Sequence, residues 1–270
     1  MKKFLFFIIY IPSIFSLPVA VIHGIYHSCS NKFYLNLIKV LKYKGLNYAV
    51  CLKSGEGSES LFLSFEEQCQ KACEEIKSNS KFDQDFSILS ISQGGLIARY
   101  IIQKCDMKGK VKKLVSFGGP MMGTSQMPFC LEGVTCYIVN SLVDFFVYKN
   151  IIQKNIGPSA YYRTAAHINN YKESNSLLVK LNNPSQKEKQ NFIDLESLVL
   201  IGFEKDKMIS PKESAEFGVF DEHFNVLKMN ETEEYKNDVF GLNCSDKAKK
   251  VKIFYIKGEH NIFDYQDVLE

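Results

Sequence analysis

Between Val19 and Phe117 the chain alternates short, almost wholly apolar runs with segments of helical periodicity, and this alternation restricts the fold more than any other feature. The runs are Val19 to Ile22, stopping at His23-Gly24, then Tyr48 to Leu52, Phe86 to Ile91, and Lys113 to Phe117, which ends at Gly118-Gly119-Pro120. Runs of this length without polar alternation predict strands buried on both faces. Between them, Ser30 is placed to cap a helix whose inward face is Phe33, Leu37, Val40 and Leu41, with Gly45 at its end. Ser64 and Glu67 have capping-box spacing and open a helix through about Lys77. Gln93 to Cys105 reads as a further helix, offering Leu96, Ile97, Ile101 and Ile102 for burial. Strand and helix in regular alternation are the signature of a parallel sheet with crossover helices.

The pattern breaks from about Met121 to Asn191, a stretch rich in Tyr, Asn and Met, which reads as a mainly helical insertion over the edge where the strands end. Ser197 to Phe203 and Val251 to Ile256 then restore strands. The expected architecture is therefore α/β: a mostly parallel sheet with helices on both faces, residues 17–270 forming one domain with an insertion over about 121–191. A chain of 270 residues that is 46% hydrophobic and 23% charged can bury a core of that size. Its net charge of +3 is spread along the chain, with no basic concentration of the kind nucleic acid requires.

At the N-terminus, Lys2 and Lys3 precede an apolar run from Phe4 to Phe15, followed by the small residue Ser16. This is the layout of a secretory signal over residues 1–16. Pro12 and the short run argue against a membrane anchor, since a span needs roughly 20 apolar residues, and no later stretch resembles one. In an oxidising compartment the eight cysteines suggest disulfides. No paired CxxC pattern points to zinc, and no cofactor or metal is expected. The sequons at Asn230 and Asn243 fit the same compartment.

Ser90-Ile91-Ser92-Gln93-Gly94-Gly95 lies where a buried strand turns into a helix. That context suits a nucleophile elbow, in which a strained turn lifts a serine hydroxyl into a cleft and small neighbours let strand and helix approach. Ser90 stands where such elbows usually carry their first glycine. A serine needs a base at neutral pH, and in the α/β-hydrolase fold the order is serine, acid, histidine, with the histidine after the last strand. Among five histidines, His260 in Lys257-Gly258-Glu259-His260 has that position. The acid should follow the strand ending at Phe203. Glu204, Asp206 and Glu213 are candidates, and Asp206, in the loop before Pro211, is the one chosen to orient the imidazole. Oxyanion donors are expected from the backbone of Gln93 and from the His23-Gly24-Ile25 loop at Ile25. His23 itself reads as a loop-orienting residue, and His167 and His223 as structural.

Together, His23-Gly24, Ser28-Cys29, the Ser92-Gln93-Gly94-Gly95 elbow, Gly118-Gly119-Pro120, Cys130 with Cys136, the stretch from Asp206 to Gly218 and the Gly258-Glu259-His260 ending resemble the palmitoyl-protein thioesterase family over nearly the whole mature chain. The resemblance implies an α/β-hydrolase fold and hydrolysis of long-chain fatty acyl thioesters on S-acylated proteins or peptides, in the lysosome or an equivalent vacuole. It carries the family triad onto Ser92, Asp206 and His260 and implies the pairs Cys73–Cys105 and Cys130–Cys136. It leaves Cys51, Cys69 and Cys244 without an assigned partner. In one branch of the family the acid immediately precedes the loop proline, where this chain has Ser210; the other branch places it where Asp206 stands. The insertion's usual Tyr-Trp-His-Asp-Pro stretch is replaced by Tyr161-Tyr162-Arg163-Thr164, and the chain has no tryptophan. Met121, Met122, Tyr161 and Tyr162 are the residues expected to form a groove for the acyl chain. An oxygen-ester lipase or esterase, an acyl-CoA thioesterase with the same triad, and a non-catalytic binding protein stand as alternatives.

Overall fold

The computed structural model describes residues 17–127, 143–144 and 146–260. The leader expected over residues 1–16 and the pair Cys130–Cys136 fall outside the described residues. The apolar runs become strands β1 (Val19–Ile22), β2 (Ala49–Leu52), β3 (Phe86–Ile91), β4 (Val111–Phe117), β5 (Ser197–Phe203) and β8 (Val251–Ile256). A short ribbon of β6 (Val219–Phe220) and β7 (Val226–Leu227) intervenes. The main sheet has the order β2-β1-β3-β4-β5-β8, and every neighbouring pair in it is parallel. The order reverses between β1 and β3, and a crevice opens beyond the strand ends at such a switch point.

Burial on both faces explains why the inner strands read as unbroken apolar runs. Ala20, Ile22, Ile88, Leu114, Leu198 and Leu200 belong to one core, shared with the helices Phe65–Ser78 and Gly94–Lys104. The alternate residues Val21, Leu89, Ile91, Val115, Val199 and Ile201 face a second core, closed by the helix Lys32–Tyr43. The helix at Phe65 opens on the expected capping box between Ser64 and Glu67. Gly45 ends the Lys32–Tyr43 helix at φ +94°, a conformation suited to glycine.

Two details of that helix differ from expectation. Its N-cap is Asn31, because Ser30 is tied to Ser28 in the preceding turn. Its inward stripe is Tyr34, Leu37 and Leu41, with Phe33 and Val40 only half-buried. Tyr34 takes the inner position because its hydroxyl serves the loop after β1, accepting the Gly24 N–H at 3.0 Å and meeting His27 Nδ1 at 3.0 Å. The β6–β7 ribbon was not legible from periodicity, since two residues a side carry no pattern. Asp221 shapes its turn by accepting the amides of His223 and Asn225.

Within the insertion, the described residues form the helices Asn150–Asn155, Ile168–Glu173, Leu177–Asn182 and Gln186–Ile193, with 3-10 turns at Gly157–Tyr161 and Ala165–His167. Its β pairing among the described residues is one isolated bridge, Thr124 with Tyr162. Among the described residues, two disulfides are formed. Cys73–Cys105 joins the two helices of the first core, as the resemblance implied, and Cys29–Cys51 pins the loop after β1 to β2, with Cα separations of 5.9 and 5.6 Å. Cys69 is a buried free thiol and Cys244 an exposed one.

Arg99 is the chief polar group of the interior and is fully buried. Its guanidinium donates to Met121 O (2.8 Å), Leu181 O (3.0 Å) and Asn182 Oδ1 (2.9 Å), and lies over the Phe240 ring at 4.2 Å. It thereby clasps the chain after β4 and the insertion onto one helix. Burial pulls its pKa down to about 9, so it stays charged at neutral pH. Arg99→Met removes the donor to Met121 O and Asn182 Oδ1, while Leu181 O keeps the Gln103 amide at 3.1 Å. The expected loss of unfolding free energy is about 3 kcal/mol, read as a lower urea midpoint at unchanged slope.

Candidate active site

β3 ends at Ile91 and the following helix starts at Gly94, so Ser92 must turn the chain within two residues. It does so at φ +53°, the left-handed region that a non-glycine residue enters only under constraint. The constraint is visible on both sides. Ser92 N–H donates to Phe117 O at 2.8 Å, and Ser92 O accepts the Gly95 N–H at 2.8 Å. A Cβ on Gly94 would lie 2.7 Å from the carbonyl oxygens of Ile22 and His23, and one on Gly95 would lie 2.8 Å from Ser116 Oγ. Only glycine lets the helix start this close to β1. Ser90 fits the first small position, fully buried, its hydroxyl donating to Val115 O at 3.4 Å.

His260 reaches Ser92 from the loop after β8. Its Nε2 is 2.9 Å from Ser92 Oγ, and its Nδ1 is 2.6 Å from Asp206 Oδ2. Asp206 sits in the loop after β5, its side chain buried. Its second oxygen accepts the amides of Met208 (2.9 Å) and Ile209 (3.1 Å), which aims the carboxylate independently of the imidazole. The two loops are also joined directly, Lys205 N–H donating to Gly258 O at 3.0 Å. A side chain at Gly118 would crowd both Phe203 and His260. Ser210, where one branch of the family has its acid, is turned elsewhere: its amide donates to Thr124 Oγ1 and its hydroxyl meets Ser125 Oγ.

The loop after β1 closes the site. A Cβ on Gly24 would lie 3.1 Å from Ser92 Cβ, so the backbone passes directly over the nucleophilic position. Gly24 N–H is taken by Tyr34 and Tyr26 N–H by Ser60 Oγ at 2.6 Å. The amides of Ile25, between them, and of Gln93 have no partner among the described residues. His23 is buried, and burial lowers its pKa, which favours the neutral ring; its Nδ1 lies 2.9 Å from Gly24 O. One of its ring nitrogens, Cys29 Sγ and a Glu56 oxygen lie within 4.8 Å of one another. Cys29 is committed to its disulfide, which leaves two donors where zinc takes three or four protein ligands.

The four residues expected to form a groove are all buried. Met121 packs its methyl against Gly95 and Gly119, and Met122 N–H donates to Ser214 Oγ. Tyr162 places its hydroxyl 2.6 Å from Asp144 Oδ1 and 2.8 Å from Ser125 O. Tyr161 instead donates to Gln93 Oε1 at 2.7 Å. Sequence reasoning overlooked Gln68, which joins Gln93 from the Phe65–Ser78 helix. Its signal was there: a glutamine on the buried stripe Phe65, Ala72 and Ile76.

Comparison with known proteins accords with this geometry. Residues 18–260 match the family model described as palmitoyl protein thioesterase. "Palmitoyl-protein thioesterase 1" of Caenorhabditis elegans is 27% identical over 90% of this chain and 86% of its own length. "Lysosomal thioesterase PPT2" of Homo sapiens is 27% identical over 83% of this chain and 75% of its own. Among solved structures, the monoacylglycerol lipase of Paleococcus ferrophilus aligns over 93% of this chain and 90% of its own, with a TM-score of 0.49 and 14% identity. On a match that runs from the start of the sheet to His260, the chain belongs to the palmitoyl protein thioesterase family.

Proposed function

We propose that the protein is a serine thioesterase that releases long-chain, palmitoyl-type acyl groups from S-acylated cysteines of proteins or peptides through an acyl-enzyme on Ser92. The observation that carries this reading is the unbroken hydrogen-bonded line Ser92–His260–Asp206 in a chain of this family. With Nδ1–H donated to Asp206, the imidazole presents an Nε2 lone pair to the Ser92 hydroxyl. As Ser92 Oγ attacks the thioester carbonyl, its proton passes to Nε2, and Asp206 stabilises the imidazolium. The carbonyl oxygen becomes an oxyanion, received by the Ile25 and Gln93 amides. Collapse expels the thiolate, which leaves with the proton from His260. Water, deprotonated by His260, then attacks the acyl-serine and restores Ser92. A thiol of pKa roughly 8.5 needs less acid assistance on departure than an alcohol, so the demand falls on serine activation and on the oxyanion donors.

Met121, Met122, Tyr161 and Tyr162 are closed off from solvent, so they would form the floor of an acyl groove rather than its rim. A lysosomal or equivalent compartment on the secretory route is supported by the human relative's name and by the two disulfides. Among the described residues, no helix is long and apolar enough to cross a membrane.

Hydrolysis of a palmitoyl-cysteine peptide tests the reading. Ser92→Ala is expected to abolish turnover, and Asp206→Asn to lower kcat by about 10³–10⁴ by removing the acceptor that sets the tautomer. Full activity in Asp206→Asn would move the acid elsewhere, and faster turnover of matched oxygen esters would favour a lipase or esterase. For the acyl groove, kcat/KM should rise with chain length by up to about fourfold per methylene, the equivalent of about 0.8 kcal/mol. A preference for acetyl over palmitoyl thioesters sinks that part.

A further inference from the structure

Beside the elbow, three side chains form a buried polar chain that continues through the main chain and hydroxyl of Ser60. Tyr161 donates to Gln93 Oε1 at 2.7 Å, and Gln93 Nε2 donates to Gln68 Oε1 at 2.9 Å. Gln68 Nε2 then donates to Leu63 O at 2.9 Å and to Ser60 O at 3.2 Å. The Ser60 hydroxyl continues the line, donating to Gly57 O and accepting the Tyr26 N–H, each at 2.6 Å. Tyr161, Gln93, Gln68 and Ser60 are all at most 4% exposed.

The direction of every bond is forced. The carbonyls of Ser60 and Leu63 can only accept, so Gln68 must turn its NH₂ toward them and its oxygen toward Gln93. Gln93 must then offer NH₂ to Gln68 and its own oxygen to Tyr161, whose hydroxyl is left only the donor's part. Burial pushes the Tyr161 pKa up, so that donor keeps its proton throughout the working range. The socket is also shaped for Gln68. A Cβ on Gly157, in the insertion, would lie 2.6 Å from Gln68 Nε2, and one on Gly55 would lie 2.9 Å from its Cγ. A fully satisfied buried network of this kind specifies one arrangement, because any rotation orphans a group at a cost of roughly 1–3 kcal/mol.

The line runs from Gln93 to the neighbour of Ile25, and so links the two expected oxyanion donors. Gln93 carries one amide. Tyr26, whose N–H is held by Ser60, follows Ile25, which carries the other. We infer that this chain sets the spacing of the two donors, with Tyr161, Gln68 and Ser60 acting as positioning residues for the Gln93 and Ile25 amides. The inference rests on the thioesterase reading of the site. It gives Tyr161 a part in transition-state stabilisation that its expected place in an acyl groove does not, and it ties the insertion to the chemistry at Ser92.

The test compares the full chain with Tyr161→Phe, Gln68→Leu, Gln93→Ala and the Tyr161→Phe/Gln93→Ala double variant on palmitoyl-cysteine peptide, with thermal midpoints measured alongside. Displacing a donor should cost less than deleting one, so each single change is expected to lower kcat about tenfold, against roughly 10²–10³ for a lost donor. KM should stay within about twofold, as befits an interaction realised in the transition state. Because Tyr161 acts through the Gln93 side chain, Tyr161→Phe should cost nothing further once Gln93 is alanine. Losses that multiply to about a hundredfold in the double variant would mean independent structural effects and overturn the inference. So would an unchanged kcat in Tyr161→Phe, a variant short of a single oxygen that carries the test if Gln68→Leu does not fold. Activity that survives Ser92→Ala overturns the thioesterase reading and this inference together. Ser92-dependent activity with silent variants overturns the inference alone.

Discussion

The site depends on how closely the helix Gly94–Lys104 can begin beside the end of β1. At Gly94 the helix backbone presses on the carbonyls of Ile22 and His23, with no room for a methyl group. That approach holds Ser92 in a left-handed turn and brings Gly24 directly against the serine. The parallel pairing of β1 with β3, Ile22 beside Ser90, sets the height at which the two meet. The crevice is thus a product of sheet register and two glycines, and the side chains that line it are fitted to a backbone already in place.

Polar groups sunk in the core do a second kind of structural work. Apolar packing tolerates small slides, whereas Arg99 donates to the fixed carbonyls of Met121 and Leu181 and Gln68 to those of Ser60 and Leu63, and Gln68 in turn fixes Gln93. Arg99 fixes the insertion near Leu181 and Asn182, and Tyr161 fixes it at the elbow. Between these two clasps the insertion is short helices and 3-10 turns, which have little cooperativity of their own. Its described residues are held by this polar anchoring to the helix Gly94–Lys104 and to Gln93, together with Tyr171, Leu177, Leu178 and Leu181 in the first core.

How much was legible from sequence followed from how local each signal is. Strands β3, β5 and β8 stand at their expected residues because a parallel strand buried on both faces announces itself as an apolar run. The elbow was legible for the same reason: its serine, its glycines and the strand-to-helix change fall within a few residues. Asp206 and His260 could be named only through chain order, and their 2.6 Å contact across 54 positions is a tertiary fact. Tyr34 and Phe33 are adjacent aromatics that periodicity cannot rank, and the loop's need for a hydroxyl decided between them. The Cys29–Cys51 pairing depends on how the turn after β1 folds back over β2, which spacing does not encode. Gln68 was legible in principle, as a polar residue on an apolar stripe, but its partners lie on two other segments.

The pairing of β8 with β5, which sets Ile256 beside Phe203, has a consequence for the life history of the molecule. During synthesis the serine elbow and the carboxylate with its two amide clamps emerge well before the imidazole, and the histidine arrives only when the final strand docks. Until β8 has paired with β5, His260 is not held beside Asp206 and Ser92. On the proposed mechanism, hydrolytic competence is withheld until that last pairing of the sheet is made.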